Sequence, residues 1–161
     1  MKFKYLNLHP LRRTEPDCVY RAITLATQED YTKIDEKLYY TSKLYECPKL
    51  CVCCYKHLLD DFYKFRRIKG CQGMTVEEFA DCHPSGTFII RVDGHLTCVV
   101  DNTLYDIWDC RKEIVDIVWE IWGDLFRLFI FLCYNRFRLR SFIWKNTIYK
   151  TYPNWMGTML L

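Results

Sequence analysis

The hydrophobic pattern changes from a helical to an alternating period after Gly86, and this change constrains the fold more than any other feature. Residues 87–108 form short runs rich in β-branched and aromatic residues. The pairs Asp93-Gly94 and Asp101-Asn102 separate these runs, and both are typical two-residue hairpin turns. The pattern predicts an antiparallel meander with strands at 87–92, 95–100 and 103–108. Because helical segments precede the meander, the sequence indicates an α+β fold.

The helical segments are defined by apolar spacing and by capping residues. We predict helices over 17–27, with Asp17 as N-cap, and over 30–40, 50–66 and 75–82. The last of these begins with a capping box, in which Thr75 is the N-cap and Glu78 stands at N3. Residues 114–122, after the meander, are interpreted as a further apolar helix.

Composition limits the compartment and the partners. The chain has 161 residues, enough for one domain with a packed core, and a formal net charge of +3. That charge is too small to indicate nucleic acid by itself, so nucleic acid is not expected as a partner. The expected partner is a protein or peptide substrate or a host protein target. Ten cysteines would suggest disulfides in a secreted protein. The N-terminus has no apolar signal segment, however, so reduced thiols in the cytoplasm are expected.

The chain changes character after residue 122. We therefore divide it into a domain over 1–122 and a basic, aromatic-rich extension over 123–161. Residues 125–161 contain six basic residues and no acidic ones. The apolar run at 125–134 is too short to span a bilayer, which needs about 20 apolar residues. Packing on the domain, formation of a homo-oligomer and contact with a partner or membrane surface all remain open for this extension.

A cysteine and a histidine stand where thiol chemistry needs them. Cys18 follows the helix-start signal Pro16-Asp17, and a helix N-terminus favours the thiolate. His95 opens the second predicted strand and can exchange a proton with that thiol. No cofactor is implied by this pair.

The meander predicts which acid orients His95. A two-residue turn at Asp101-Asn102 sets Val100 opposite Thr103, so that His95 and Asp106 share one face. Asp106 is diagonal to His95 and within side-chain reach, which makes it the preferred orienting acid. Asp109 is the second choice, because it falls on the opposite face unless the strand ends or bulges.

These residues resemble the papain-like cysteine peptidases in their order along the chain. In that superfamily the nucleophilic cysteine starts a helix, the histidine opens a strand, and an acid or amide follows on the next strand. Asp106-Ile107-Trp108 is similar to the Asn-x-Trp element of the superfamily. The resemblance implies that Cys18 is the nucleophile and His95 the general base and acid. It also implies that Asp106 orients His95 and that Trp108 shields the bond between them.

The chain is also similar to small uncharacterised proteins of bacteria and their phages. The shared motifs are a Tyr-x-Asn start, Asp-Cys-Val-x-Arg-Ala-Ile, Thr-Val-x-x-Phe, and Gly-His followed by Tyr-Asp-x-Trp-Asp. They cover about residues 5–122. This similarity implies a phage or mobile-element origin and, with it, a host cytoplasm and a host protein as substrate or target.

One position departs from the papain-like pattern. The superfamily places a glutamine about six residues before the thiol, where its side chain helps to hold the oxyanion, and here that position is Arg12. The backbone N–H of Cys18 supplies one donor. Asn7, Arg12 and Thr14 are candidates for the second, and Asn7 fits the shared motifs best.

Other interpretations remain open. A lone cysteine at a helix start, such as Cys18, is more often a small buried residue than a nucleophile, since free cysteine is among the most buried residue types. A group of thiols with one histidine forms a weak zinc candidate that matches no standard knuckle; its members are Cys47, Cys51, Cys54 and His57. The sequence therefore favours a cysteine-protease-like hydrolase. A catalytically silent binding module, such as a phage inhibitor of a host factor, is the first alternative, and a zinc-dependent nucleic-acid binder is the second.

Overall fold

The computed structural model describes residues 1–14 and 16–121, which form an α+β fold with a mixed sheet. The sheet has six strands in the order β1-β5-β4-β3-β6-β2. The strands are β1 (Lys2–Tyr5), β2 (Arg66–Ile68), β3 (Thr87–Val92), β4 (His95–Val100), β5 (Thr103–Asp106) and β6 (Ile117–Ile121). The helices are α1 (Cys18–Thr27), α2 (Tyr31–Leu44), α3 (Val52–His57) and α4 (Val76–Cys82), and a π-helical turn (Leu58–Phe62) follows α3. The predicted α+β class is confirmed.

The predicted meander is present as β3, β4 and β5. Strand β4 pairs antiparallel with β5 in the expected register, with Val100 opposite Thr103. The turn residues have the positive φ that such a turn requires, 45° at Asp101 and 56° at Asn102. β5 ends at Asp106, two residues earlier than predicted, so Trp108 lies beyond the strand.

The predicted helix over 114–122 is wrong. Residues 117–121 form β6, which lies between β3 and β2 and is antiparallel to both. Val118 and Trp119 are fully buried, so the strand has no clean polar alternation. A short apolar run of this kind does not distinguish a buried strand from a helix, and β-branched residues favour the strand.

Two further strands were not predicted. β1 pairs in parallel with β5, and β2 closes the opposite edge of the sheet beside β6. The three-stranded meander is therefore only the centre of a larger mixed sheet. The predicted helix over 50–66 is also shorter, because α3 passes into the π-helical turn and then into β2.

The hydrophobic core lies on both faces of the sheet. One cluster joins α1, α2 and α3 to sheet residues such as Leu96 and Trp119. The other packs Phe79 of α4 against Ile90 and Val118. Among the described residues, no helix is long and apolar enough to cross a bilayer. The predictions for residues 123–161, including the homo-oligomer, lie outside the described part of the chain.

The predicted capping box at α4 is confirmed. The Thr75 hydroxyl accepts a hydrogen bond from the backbone N–H of Glu78 at 3.2 Å, and the Glu78 carboxylate accepts one from the Thr75 N–H at 2.8 Å. We expect Thr75→Ala to lower the free energy of unfolding by about 1 kcal/mol, measured by urea denaturation. Thr75→Ser retains the hydroxyl and is the matched control. Equal stability of the alanine and serine variants would contradict a stabilising cap.

Candidate active site

Cys18 is the first residue of α1 and lies against the start of β4. Its half-buried thiol shares a hydrogen bond with the His95 side chain, and the Leu96 backbone N–H donates a second one to the sulfur. Asp17 stands at the N-cap as predicted, but its side chain makes no capping bond and pairs with Arg21 instead. The start of the helix thus brings the thiol to the imidazole.

The two hairpin strands bring His95 to Asp106. The Nε2 atom of His95 and the Oδ2 atom of Asp106 are 2.7 Å apart. The other carboxylate oxygen accepts a hydrogen bond from the Ile107 N–H at 2.7 Å. Because Asp106 occupies Nε2, Nδ1 is the ring nitrogen left for Cys18. The predicted cysteine, histidine and acid therefore form one continuous chain of contacts.

The electrostatics favour a thiolate–imidazolium pair. Burial acts to raise the pKa of Cys18, but the hydrogen bonds from His95 and Leu96 outweigh it and bring that pKa below its ordinary value. Burial acts to lower the pKa of His95, whereas its bonds with Asp106 and Cys18 raise the pKa to about 9. Burial acts to raise the pKa of Asp106, but its hydrogen bond and charge attraction to His95, together with the bonds from Thr97 and the Ile107 N–H, lower that pKa. Opposite shifts in the two partners are those of an ion pair near neutral pH.

The two residues after β5 differ in their relation to His95. The Trp108 ring meets the imidazole edge-on, with ring centroids 5.0 Å apart, although 43% of Trp108 is exposed. Asp109 is exposed and forms a two-point pair with Arg111, with both N–O distances at 2.8 Å. Asp106, not Asp109, is therefore the carboxylate that contacts His95.

The candidates for a second oxyanion donor lie in the loop between β1 and α1. The Asn7 side-chain nitrogen donates to the Arg13 carbonyl at 3.1 Å, so one of its two N–H groups is used within that loop. Arg12 and Thr14 are exposed, and Arg12 has a φ of 52°. The oxyanion role of Asn7 stays a prediction.

The weak zinc candidates are engaged in other contacts. The Cys54 thiol is buried and donates to the Leu38 carbonyl at 3.4 Å, while Cys51 accepts from the Cys54 N–H. His57 stacks on Tyr45 and pairs with Asp61 at 2.6 Å. A zinc site needs several of these atoms directed at one point. The Cys47 thiol does contact the side chains of Cys51 and Cys54. Among the described residues, however, these thiols and His57 do not form a group whose ligand atoms all lie within 4.8 Å of one another.

A different group meets the distance requirement for a metal ion. Within the described residues, possible ligand atoms of His95, Asp106 and Cys110 lie within 4.8 Å of one another. Metal ligation by cysteine requires the thiolate. Burial raises the pKa of Cys110 to about 12, and His95 Nε2 already bonds to Asp106. This chemistry suits a proton held between His95 and Asp106 better than a metal ion.

Arg21 is the charged residue of the site that the sequence analysis missed. It lies one turn after Cys18 in α1, is only 6% exposed, and approaches Asp106 at 3.8 Å. The available signal was its position within the apolar pattern of the helix, next to Ala22 and Ile23. A basic residue at such a position is rarely buried unless it is paired.

A small cleft gives access to the thiol. Its volume is about 120 Å³, and Cys18 and His95 lie on its wall with the aliphatic Leu50 and Val52. Leu50 is 41% exposed and Val52 is 38% exposed. Arg91 adds a basic group, held by Asp116. The cleft therefore offers a mainly aliphatic contact surface beside the sulfur atom.

No protein-family model, curated protein or solved structure matches this chain. The geometry of the site is therefore the basis for any assignment of function.

Proposed function

We propose that this protein is a papain-like thiol hydrolase that cleaves an amide, isopeptide or related acyl bond. The observation that carries the proposal is the continuous contact from Cys18 through His95 to Asp106, at the wall of a cleft. The papain-like assignment is supported by the order of these residues and by their positions, since Cys18 begins a helix and His95 begins a strand. The phage or mobile-element origin rests on the sequence resemblance alone.

The reaction begins with the thiolate. The Cys18 sulfur attacks the carbonyl carbon, and a carbon–sulfur bond forms as the carbonyl π electrons move to oxygen. As the tetrahedral intermediate collapses, the bond to the leaving group breaks, and the His95 imidazolium gives its proton to the departing nitrogen or oxygen. This leaves an acyl-enzyme and neutral imidazole.

Water completes the cycle. Neutral His95 removes a proton from a water molecule, whose oxygen attacks the thioester carbon. Collapse of the second intermediate breaks the carbon–sulfur bond, releases the acid and restores the ion pair. Asp106 remains ionised throughout and keeps His95 Nε2 engaged, so that Nδ1 faces the sulfur.

A reducing compartment suits this chemistry, and we place the activity in the cytoplasm. The described cysteines, nine in number, are all free thiols. A catalytic thiolate must also remain unoxidised.

The test is alkylation of the native protein with iodoacetamide from pH 5 to 10, followed by mass spectrometry at each cysteine. The exposed thiols Cys53 and Cys82 serve as internal references. At pH 6 we expect Cys18 to react at least about tenfold faster than either reference, because an ordinary thiol is almost wholly protonated there. Equal or slower reaction of Cys18 would overturn the proposal and favour a silent binding module.

Acyl-enzyme formation is the second part of this test. Peptide thioesters and activated esters should add an acyl group to Cys18 of the wild-type protein, and Cys18→Ala should abolish that adduct. A protein whose binding function survives Cys18→Ala is a binding module instead of an enzyme.

A further inference from the structure

Arg21 lies in a buried charge network below the proposed nucleophile. Its side chain is only 7% exposed, pairs with Asp17 one turn earlier in α1, and lies 3.8 Å from Asp106 on β5. Both carboxylates are about as buried as the guanidinium, at 5% for Asp17 and 4% for Asp106. One cation is therefore shared between two buried acids, only one of which contacts His95.

Because Asp106 is buried, its ionisation depends on a cationic partner. A buried carboxylate without a partner takes up a proton more readily, because the charged form is poorly solvated. Arginine suits the bridging position, because its guanidinium stays charged and presents several N–H groups in a planar fork. Arg21 thus favours the ionised form of Asp106, which is the form that accepts the bond from His95.

The other groups around the network are neutral or already part of the site. On the α1 side the Tyr31 hydroxyl donates to Asp17 at 3.1 Å, and Tyr5 of β1 also lies near Arg21. On the other side the Cys110 thiol lies near Asp106 and stays protonated because of its burial. In the described part of the chain, the basic groups paired with Asp106 are Arg21 and His95.

We propose that Arg21 is a positioning residue that keeps Asp106 ionised and aimed at His95, and thereby sets the lower pH limit of the reactive Cys18–His95 pair. This inference rests on the proposed function and extends it to the control of its pH range. Arg21 acts through Asp106 and not by contact with the substrate.

The direction of the effect follows from the charges. Without the Arg21 charge, Asp106 takes up a proton at a higher pH. A protonated Asp106 no longer accepts the bond from His95 or holds the imidazolium in place, so the contact that favours the Cys18 thiolate weakens and Cys18 keeps its proton up to a higher pH. Removal of the guanidinium also removes a positive charge that favours the thiolate. The acid limb is the pH range in which the alkylation rate of Cys18 falls as the pH is lowered. Both effects move this acid limb to higher pH.

Arg21→Gln, Arg21→Lys and Asp17→Asn form the test, with iodoacetamide rates at Cys18 followed from pH 4 to 9. Arg21→Gln should raise the midpoint of the acid limb by about 1 pH unit, which is about a tenfold lower rate below it. Arg21→Lys retains the charge and should restore most of the wild-type midpoint. Asp17→Asn removes the competing carboxylate, so that Arg21 pairs with Asp106 alone, and it should lower the midpoint of the acid limb.

A control and the contrary outcomes make the test decisive. Arg66→Gln removes a cation that pairs with Glu120 at the sheet edge and should leave the midpoint unchanged. A merely structural Arg21 would lower the melting temperature of Arg21→Gln and leave its midpoint in place. If Arg21→Gln does not fold, an unchanged midpoint in Asp17→Asn overturns the inference.

The inference and the proposed function fail in different ways. If Cys18 of the wild-type protein reacts no faster than Cys53 and Cys82, both the proposed function and the role of Arg21 are overturned. A fast wild-type Cys18 whose acid limb is unmoved by the Arg21 and Asp17 variants removes the role of Arg21 alone.

Discussion

Replacement of His95 by alanine should slow alkylation of Cys18 at pH 6 by about 100-fold. The His95 hydrogen bond is the largest influence that lowers the Cys18 pKa, and burial, which opposes it, would then dominate. A thiol with an ordinary pKa of about 8.5 is less than ~1% ionised at pH 6. The measurement is the pseudo-first-order rate of iodoacetamide labelling at Cys18.

The pH dependence of the His95→Ala rate shows whether His95 controls the ionisation of Cys18 or the access of iodoacetamide to it. Above pH 10 the thiolate forms without help, so the His95→Ala and wild-type rates should approach each other. His83→Ala is the matched control, since that half-buried ring stacks on Phe79 and contacts its carbonyl, away from the thiol. A decrease of the same size at every pH would show that His95 controls access to Cys18, and would contradict the ion pair.

Trp119→Ala should lower the free energy of unfolding by about 3–5 kcal/mol. Trp119 is fully buried in β6, packs edge-on against Tyr55, and donates from its indole nitrogen to Asp60 at 2.7 Å. Its removal leaves a large cavity next to α3. Since small domains have a total stability of about 5–15 kcal/mol, much of the protein would unfold at moderate temperature. Urea denaturation monitored by circular dichroism measures the loss.

Trp119→Phe separates packing from the hydrogen bond in the same experiment. It keeps an aromatic ring but loses the indole N–H, so a smaller loss of about 1–2 kcal/mol is expected. A loss below about 1 kcal/mol in Trp119→Ala would contradict the position of β6 in the interior of the sheet.

The parts of the fold with local chemical signals were predictable. The turn at Asp101-Asn102 determines the register of β4 and β5, and this register in turn brings Asp106 near His95. The box formed by Thr75 and Glu78 also depends on residues three positions apart. In each case a short-range rule fixes backbone geometry, and the position of the side chains follows.

The parts that depend on distant pairing were not predictable. β1 pairs with residues 103–106, about one hundred positions away, and nothing in the sequence of β1 identifies that strand as its partner. β6 has a fully buried apolar residue on each face, Val118 and Trp119, because it lies inside the sheet, so its sequence has no clean strand period. Arg21 is likewise explained by Asp106, a residue of another element. Asp17 shows a similar effect. Its sequence position predicts a capping bond, but its side chain pairs with Arg21 instead.

The distance between the site residues along the chain has a consequence for protein synthesis. Cys18 leaves the ribosome long before Asp106, on the order of ten seconds earlier at typical elongation rates. β1, although made first, pairs with the late strand β5, and α1 packs on β4. Until β4 and β5 have been made, the nascent thiol lacks its contact with His95 and, through His95, with Asp106. Under the proposed function, the contact from Cys18 through His95 to Asp106 therefore forms only after the late strands have been synthesised.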